Sequence, residues 1–168
     1  MGFNPDISAP SPQHDTEKLA LALACLRQGQ NAQAFLILSR PDFDKEPAAQ
    51  FALALCYLRA DEFSAAAARL EQALRLARAL PAARPNAAEN TDTYIKLFKG
   101  QLEDEFYLTP LDTDFCTLFP RETERIILLT LIHAYRKQGM DEKARQLSSG
   151  LSGAVFEQYK KHLFEKAD

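Results

Sequence analysis

The sequence predicts an all-α fold: a solenoid of stacked helix–turn–helix units, with an inserted helical segment and a C-terminal capping helix. Three observations carry that prediction. Two leucine–alanine runs, LALALACL (19–26) and FALALCYL (51–58), begin 32 residues apart. Each is followed closely by a second apolar stretch, NAQAFLIL after Gly29 and DEFSAAAARLEQALRLARAL after Ala60. Turn and stop residues punctuate the joints, at Gly29, Pro41, Asp61 and Pro81.

The first run alternates large and small apolar residues, as a half-buried strand does. The small partner decides against a strand. Ala20, Ala22 and Ala24 are apolar where a wet strand face needs polar residues. Alanine is the best helix former and a poor strand former. A helix over 15–28 follows, capped by Asp15 or Thr16 and ended by Gly29. It is apolar all round, so it is buried on most sides. The second run gives a helix with Asp44 and Pro47 at its start. Its partner helix takes Asp61 as cap and Pro81 as stop.

A third unit fits IILLTLIHAYRKQGMDEKARQL. Between the second and third units, PAARPNAAEN (81–90) reads as a linker and TDTYIKLFKGQLEDEF (91–106) as a helix. YLTPLDTDFCTLF (107–119) reads as a turn followed by a short helical piece. After Gly150, Val155, Phe156, Tyr159 and Leu163 mark the inner face of a last amphipathic helix. The expected organisation is a disordered segment over 1–13 and one domain over 14–168. Within that domain the repeat units span about 15–41, 45–80 and 120–151, the insert 81–119 and the cap 152–166.

The second unit resembles a tetratricopeptide repeat. That pattern runs Trp, two residues, Leu-Gly, two residues, Tyr, then Ala, three residues, Phe, and a further Ala. Leu53-Ala54, Tyr57, Ala66, Leu70 and Ala73 stand at those places, and Gln50 departs from the Trp. Leu21-Ala22, Cys25, Ala34 and Leu38 match in the first unit; Leu131-Ile132, Tyr135, Gly139 and Ala144 match in the third. The resemblance implies a right-handed α-α superhelix whose first helices line a concave face. On that face it would place Leu19, Leu23 and Leu26, then Phe51, Leu55 and Leu58, then Ile126, Leu129, His133 and Arg136. On that face the first two units carry none of the Lys, Asn and Arg with which better-known relatives grip a peptide carboxylate, so that ligand type is not expected.

Six large apolar residues on the first two units are worth about 1.5–3 kcal/mol each when buried, or about 9–18 together. A wall of that kind left wet invites aggregation, so something covers it. The insert or the C-terminal helix, a second copy of the chain, or a partner's helix are the three covers.

Other chemistry is thin. The chain has 168 residues, a net charge of -3 and a pI near 5.7, which excludes a broad basic face for nucleic acid. Cys25, Cys56 and Cys116 show no metal-ligand spacing and read as small buried hydrophobes. His133 reads as a hydrogen-bonded, partly buried histidine, and Asp112 and Asp114 as turn or cap residues. No phosphate loop or nucleophile elbow is present, so neither an enzyme nor a cofactor is expected. The opening residues lack the basic-then-apolar order of a secretion signal, and no apolar run reaches the roughly 20 residues a bilayer requires. A cytoplasmic protein without membrane insertion is expected.

Arg69, Arg75, Arg78 and Arg84 make 62–84 locally basic, with a Glu71–Arg75 pair expected at i,i+4. The acidic insert, Glu103 to Asp114, is a candidate to dock there. The function expected is an adaptor or chaperone holding an apolar or amphipathic partner segment in the groove. The alternatives are a homodimer that buries its own apolar face, and an enzyme or ligand binder using Tyr94, Tyr107, Phe115 and the insert's acids.

Overall fold

A computed structural model describes residues 12–81 and 106–151, together with Phe164. Seven α-helices, and no strand, occur among the described residues. They are α1 (Pro12–Arg27), α2 (Asn31–Leu38), α3 (Pro47–Arg59), α4 (Phe63–Arg78), α5 (Thr113–Leu118), α6 (Pro120–Lys137) and α7 (Asp141–Ser148). Short 3-10 turns cover Pro41–Phe43 and Phe106–Leu108. The expected helix over 91–106 and all of the capping helix except Phe164 lie outside the described residues.

One turn is used three times. α1, α3 and α6 each end in a residue of positive φ: Gly29 at 76°, Asp61 at 58° and Gly139 at 74°. In each turn that residue's N–H bonds the carbonyl three residues back (Leu26, Leu58 and Arg136). The next N–H bonds the carbonyl five back, on Cys25, Tyr57 and Tyr135. These are Schellman caps, which satisfy helix-end carbonyls by turning the chain left-handed. The following helix then begins identically, with Ala34, Ala66 and Ala144 each donating four residues back and each wholly buried. Asp61 is therefore the reversing residue of its turn. It is not the N-cap of α4, which Glu62 occupies without a side-chain bond.

Two of these positions carry glycine, which enters the left-handed region freely, and one carries aspartate, which enters it at a cost. A Cβ at Gly29 or Gly139 meets nothing within 4 Å, so substitution there tests the backbone alone. Gly29→Ala and Gly139→Ala are each expected to lower stability by about 1 kcal/mol, and Asp61→Gly to raise it by up to about 1 kcal/mol. Urea midpoints at constant slope would measure all three.

The hairpins α1–α2, α3–α4 and α6–α7 pack in chain order, α2 against α3 and α4 against α6. Neighbouring turns are tied together. Arg59 donates to the Leu26 carbonyl at 2.8 Å and to Asn31 Oδ1 at 2.6 Å. Gln138 Nε2 donates to the Phe63 carbonyl at 3.1 Å. The buried apolar residues of all three hairpins belong to one continuous core.

Gln50, at the tryptophan place of the repeat pattern, is buried, and its amide is used at both ends. Nε2 donates to the Phe43 carbonyl and Oε1 accepts from Arg69. The polar residue is tolerated there because both groups are satisfied. At the other end of the chain, α1 begins at Pro12, three residues ahead of the expected start. Asp15 consequently sits in the first turn, where its charge favours the helix dipole.

Candidate functional site

The residues the sequence assigned to a groove do share a region, but the chain covers them. Leu19, Leu23, Leu26, Phe51, Leu55 and Leu129 are all buried, and Leu58, the least covered apolar member, is 9% exposed. Ile126 is buried as well, so of the ten residues placed on that face His133 and Arg136 alone are partly exposed. α3 is hydrophobic on nearly every side and is enclosed, as such a helix must be. α1 is not apolar all round as expected: it buries Leu19, Ala22, Leu23, Cys25 and Leu26 and leaves Glu17, Ala20 and Leu21 in water.

Much of the enclosure comes from residues 106–119. Tyr107, Leu111, Phe115, Cys116 and Phe119 are buried, and α5 packs on both α3 and α6. Polar contacts seat the same segment. The Thr130 hydroxyl lies 2.7 Å from the Tyr107 carbonyl. The Tyr107 hydroxyl lies 3.3 Å from His133 Nδ1. Thr113 donates to Glu46 at 3.4 Å, and Asp112 stands 4.0 Å from Arg27. Asp112 also caps α5, its carboxylate accepting the Phe115 N–H at 2.7 Å. The turn-and-helix expectation for 107–119, the cap role of Asp112 and the hydrogen-bonded His133 all agree with this geometry. Phe164 reaches the same end of α6, its ring centroid 5.1 Å from the Arg136 guanidinium.

Four large side chains from this segment (Tyr107, Leu111, Phe115 and Phe119) bury about 6–12 kcal/mol of apolar contact, comparable to the whole stability of a domain. Residues 106–119 are thus core in energetic terms. Tyr107 and Phe115, named for the ligand-binding alternative, are buried in that core, and Tyr94 lies outside the described residues.

The cysteines are packing residues. Burial pushes the Cys56 thiol up to about 11 and the Cys116 thiol up to about 12, so both stay protonated near neutral pH. Neither supplies the thiolate that nucleophilic or metal chemistry uses.

An open concavity among the described residues lies elsewhere, between α4, α6 and α7. It encloses about 590 Å³ and is lined by Glu71, Leu74, Arg75, Leu131, Tyr135, Lys143, Gln146 and Leu147. The Tyr135 hydroxyl donates to Glu71 Oε1. Lys143 Nζ lies 3.5 Å from the same oxygen and 4.1 Å from the Tyr135 ring centroid. Burial, then the hydrogen bond to Glu71, raises the Tyr135 phenol, which remains a donor at neutral pH.

Sequence reasoning missed this site. It paired Glu71 with Arg75 at i,i+4, whereas Glu71 turns to Tyr135 and Lys143 and Arg75 turns to Gln72. The docking of the acidic insert on the α4 arginines also gives way where it is described. Arg69 stands 3.9 Å from Asp44, Arg78 bonds Glu124 at 2.7 Å, and Asp112 goes to Arg27. The available signal was the i,i+4 pair Lys143 and Leu147, which places a cation and an apolar residue on one face of α7.

No protein-family model, curated protein or solved structure matches the chain. No helix among the described residues is long and apolar enough to cross a membrane.

Proposed function

We propose that the chain is a protein–protein interaction module, a right-handed α-α superhelix of tetratricopeptide-like repeats serving as a cytoplasmic adaptor or chaperone. The observation that carries this reading is the threefold recurrence of one hairpin, with a left-handed residue at the same place, the same pair of hydrogen bonds and the same buried alanine. Stacked repeats of that kind present extended surfaces for partners. The module holds an apolar or amphipathic partner segment and carries out no catalysis. Because residues 106–119 fill the inner wall, the partner docks in the concavity of α4, α6 and α7. Free, buried cysteines suit the reducing compartment this role assumes.

Capture from native lysate tests it. The wild-type chain is expected to recover a defined protein that Leu147→Glu loses, with identical helical circular dichroism for the two baits. Leu147 is partly exposed and packs against the edge of the core, so the circular dichroism comparison separates lost capture from lost fold. Recovery undiminished by Leu147→Glu would remove the concavity from the reading.

A second reading is self-association through the first hairpin. Leu36 is 71% exposed and Leu21 57% exposed, large apolar side chains in water on α2 and α1. Light scattering showing a dimer that Leu36→Lys converts to monomer would favour it. A monomer at every concentration would end it.

A further inference from the structure

We propose that the concavity between α4, α6 and α7 selects an acidic amphipathic peptide segment. One carboxylate side chain meets Arg75 and Lys143, and a neighbouring apolar side chain sits on Leu74, Leu131 and Leu147. This rests on the reading of the concavity as the partner site and names the chemistry of the partner.

The lining decides the sign of the charge. It holds two cations, Arg75 and Lys143, and one acid, Glu71. Glu71 is already engaged, one oxygen accepting from both the Tyr135 hydroxyl and Lys143. Arg69 and Arg78, on the same helix as Arg75, each have a carboxylate within 4.0 Å. Arg75 is exposed and bonds the neutral Gln72 amide, with no carboxylate partner among the described residues. A guanidinium with no carboxylate partner among the described residues therefore stands at the rim of an apolar floor, in a chain whose net charge is -3. Lys143 adds a second cation, its ammonium held over the Tyr135 ring.

An approaching carboxylate gains two charge-assisted donors, and Arg75 offers the planar fork that carboxylates match. A basic segment meets like charge, which costs affinity and discriminates against it. The apolar floor supplies contact that an anion alone cannot use. A concavity of about 590 Å³ accommodates a few side chains of a helix rather than a whole element.

The test uses the full chain and two fluorescein-labelled helical peptides. Both carry Leu at i, i+3, i+4 and i+7; one carries Glu and the other Lys at the remaining positions. The Glu peptide is expected to bind at least about tenfold more tightly than the Lys peptide by anisotropy. Its binding weakens as NaCl rises. Arg75→Glu is expected to weaken it about tenfold, whereas Arg145→Glu, exposed on α7 outside the lining, leaves it unchanged. Equal binding of both peptides, lost together in Leu147→Glu, would overturn the acidic preference and leave the partner site standing. Binding of neither peptide would overturn both. A dimer in light scattering that Arg75→Glu dissociates would make a second copy the occupant and overturn the proposal. So would a cross-link from Lys143 to residues 82–105 or 152–163 that the Glu peptide fails to displace.

Discussion

Leu55→Asp is expected to unfold the protein. Leu55 is 1% exposed on α3, a helix in which every residue from Pro47 to Cys56 is buried. Removing the leucine costs about 2–5 kcal/mol in lost transfer and packing. Burying an unpaired carboxylate adds about 3–5 kcal/mol, or forces the group to take up a proton. Together they come to about 5–10 kcal/mol, which falls within the stability typical of a domain, about 5–15 kcal/mol. Circular dichroism should show loss of helix, and no cooperative thermal transition should remain. A folded variant with an unchanged midpoint would mean that residue 55 faces water, and it would restore an open groove. Leu55→Ala grades the same effect: it should stay folded and melt lower, because only the cavity is created.

The sequence left that outcome open, placing Leu55 on a groove wall with the insert as one of three covers, and the reason is physical. Local rules wrote the hairpins plainly. Alanine-rich helices, the reversing residues Gly29 and Gly139, and Ala34, Ala66 and Ala144 are all set within one or two turns of chain. Periodicity shows that a face is apolar without showing what lies on it. The cover, Tyr107 to Phe119, comes from about 50 residues beyond α3, through contacts such as Thr113 with Glu46 and Asp112 with Arg27. The outer concavity was hidden for the same reason. Glu71 meets Tyr135 and Lys143 across hairpins, and a nearby arginine at i,i+4 was the better local guess. Asp61 misled in a narrower way. Aspartate is common both as a helix N-cap and in the left-handed region, and the sequence alone gives the commoner role.

Tyr107 separates a core segment from a lid. It is 2% exposed, its ring centroid lies 5.7 Å from that of His133, and its carbonyl receives the Thr130 hydroxyl. Tyr107→Ala is expected to cost about 3–5 kcal/mol, as other buried aromatic truncations do. For a chain of this length each kcal/mol moves the midpoint by about 2–4 °C, so the melting temperature should fall by roughly 10 °C. Tyr107→Phe keeps the ring and the Thr130 contact and removes the hydroxyl near His133. Its cost should be close to 1 kcal/mol, the usual net worth of one hydrogen bond. If residues 106–119 were a lid resting on a finished stack, Tyr107→Ala would leave the melting temperature untouched. Amide exchange would then quicken in that segment alone. If they complete the core, exchange in α3 and α6 rises with it, because both helices lose their cover at once. The wide gap between the alanine and phenylalanine variants follows from the balance of forces on this residue: its hydroxyl contact with His133 is modest, and its buried ring is a large part of what covers α6.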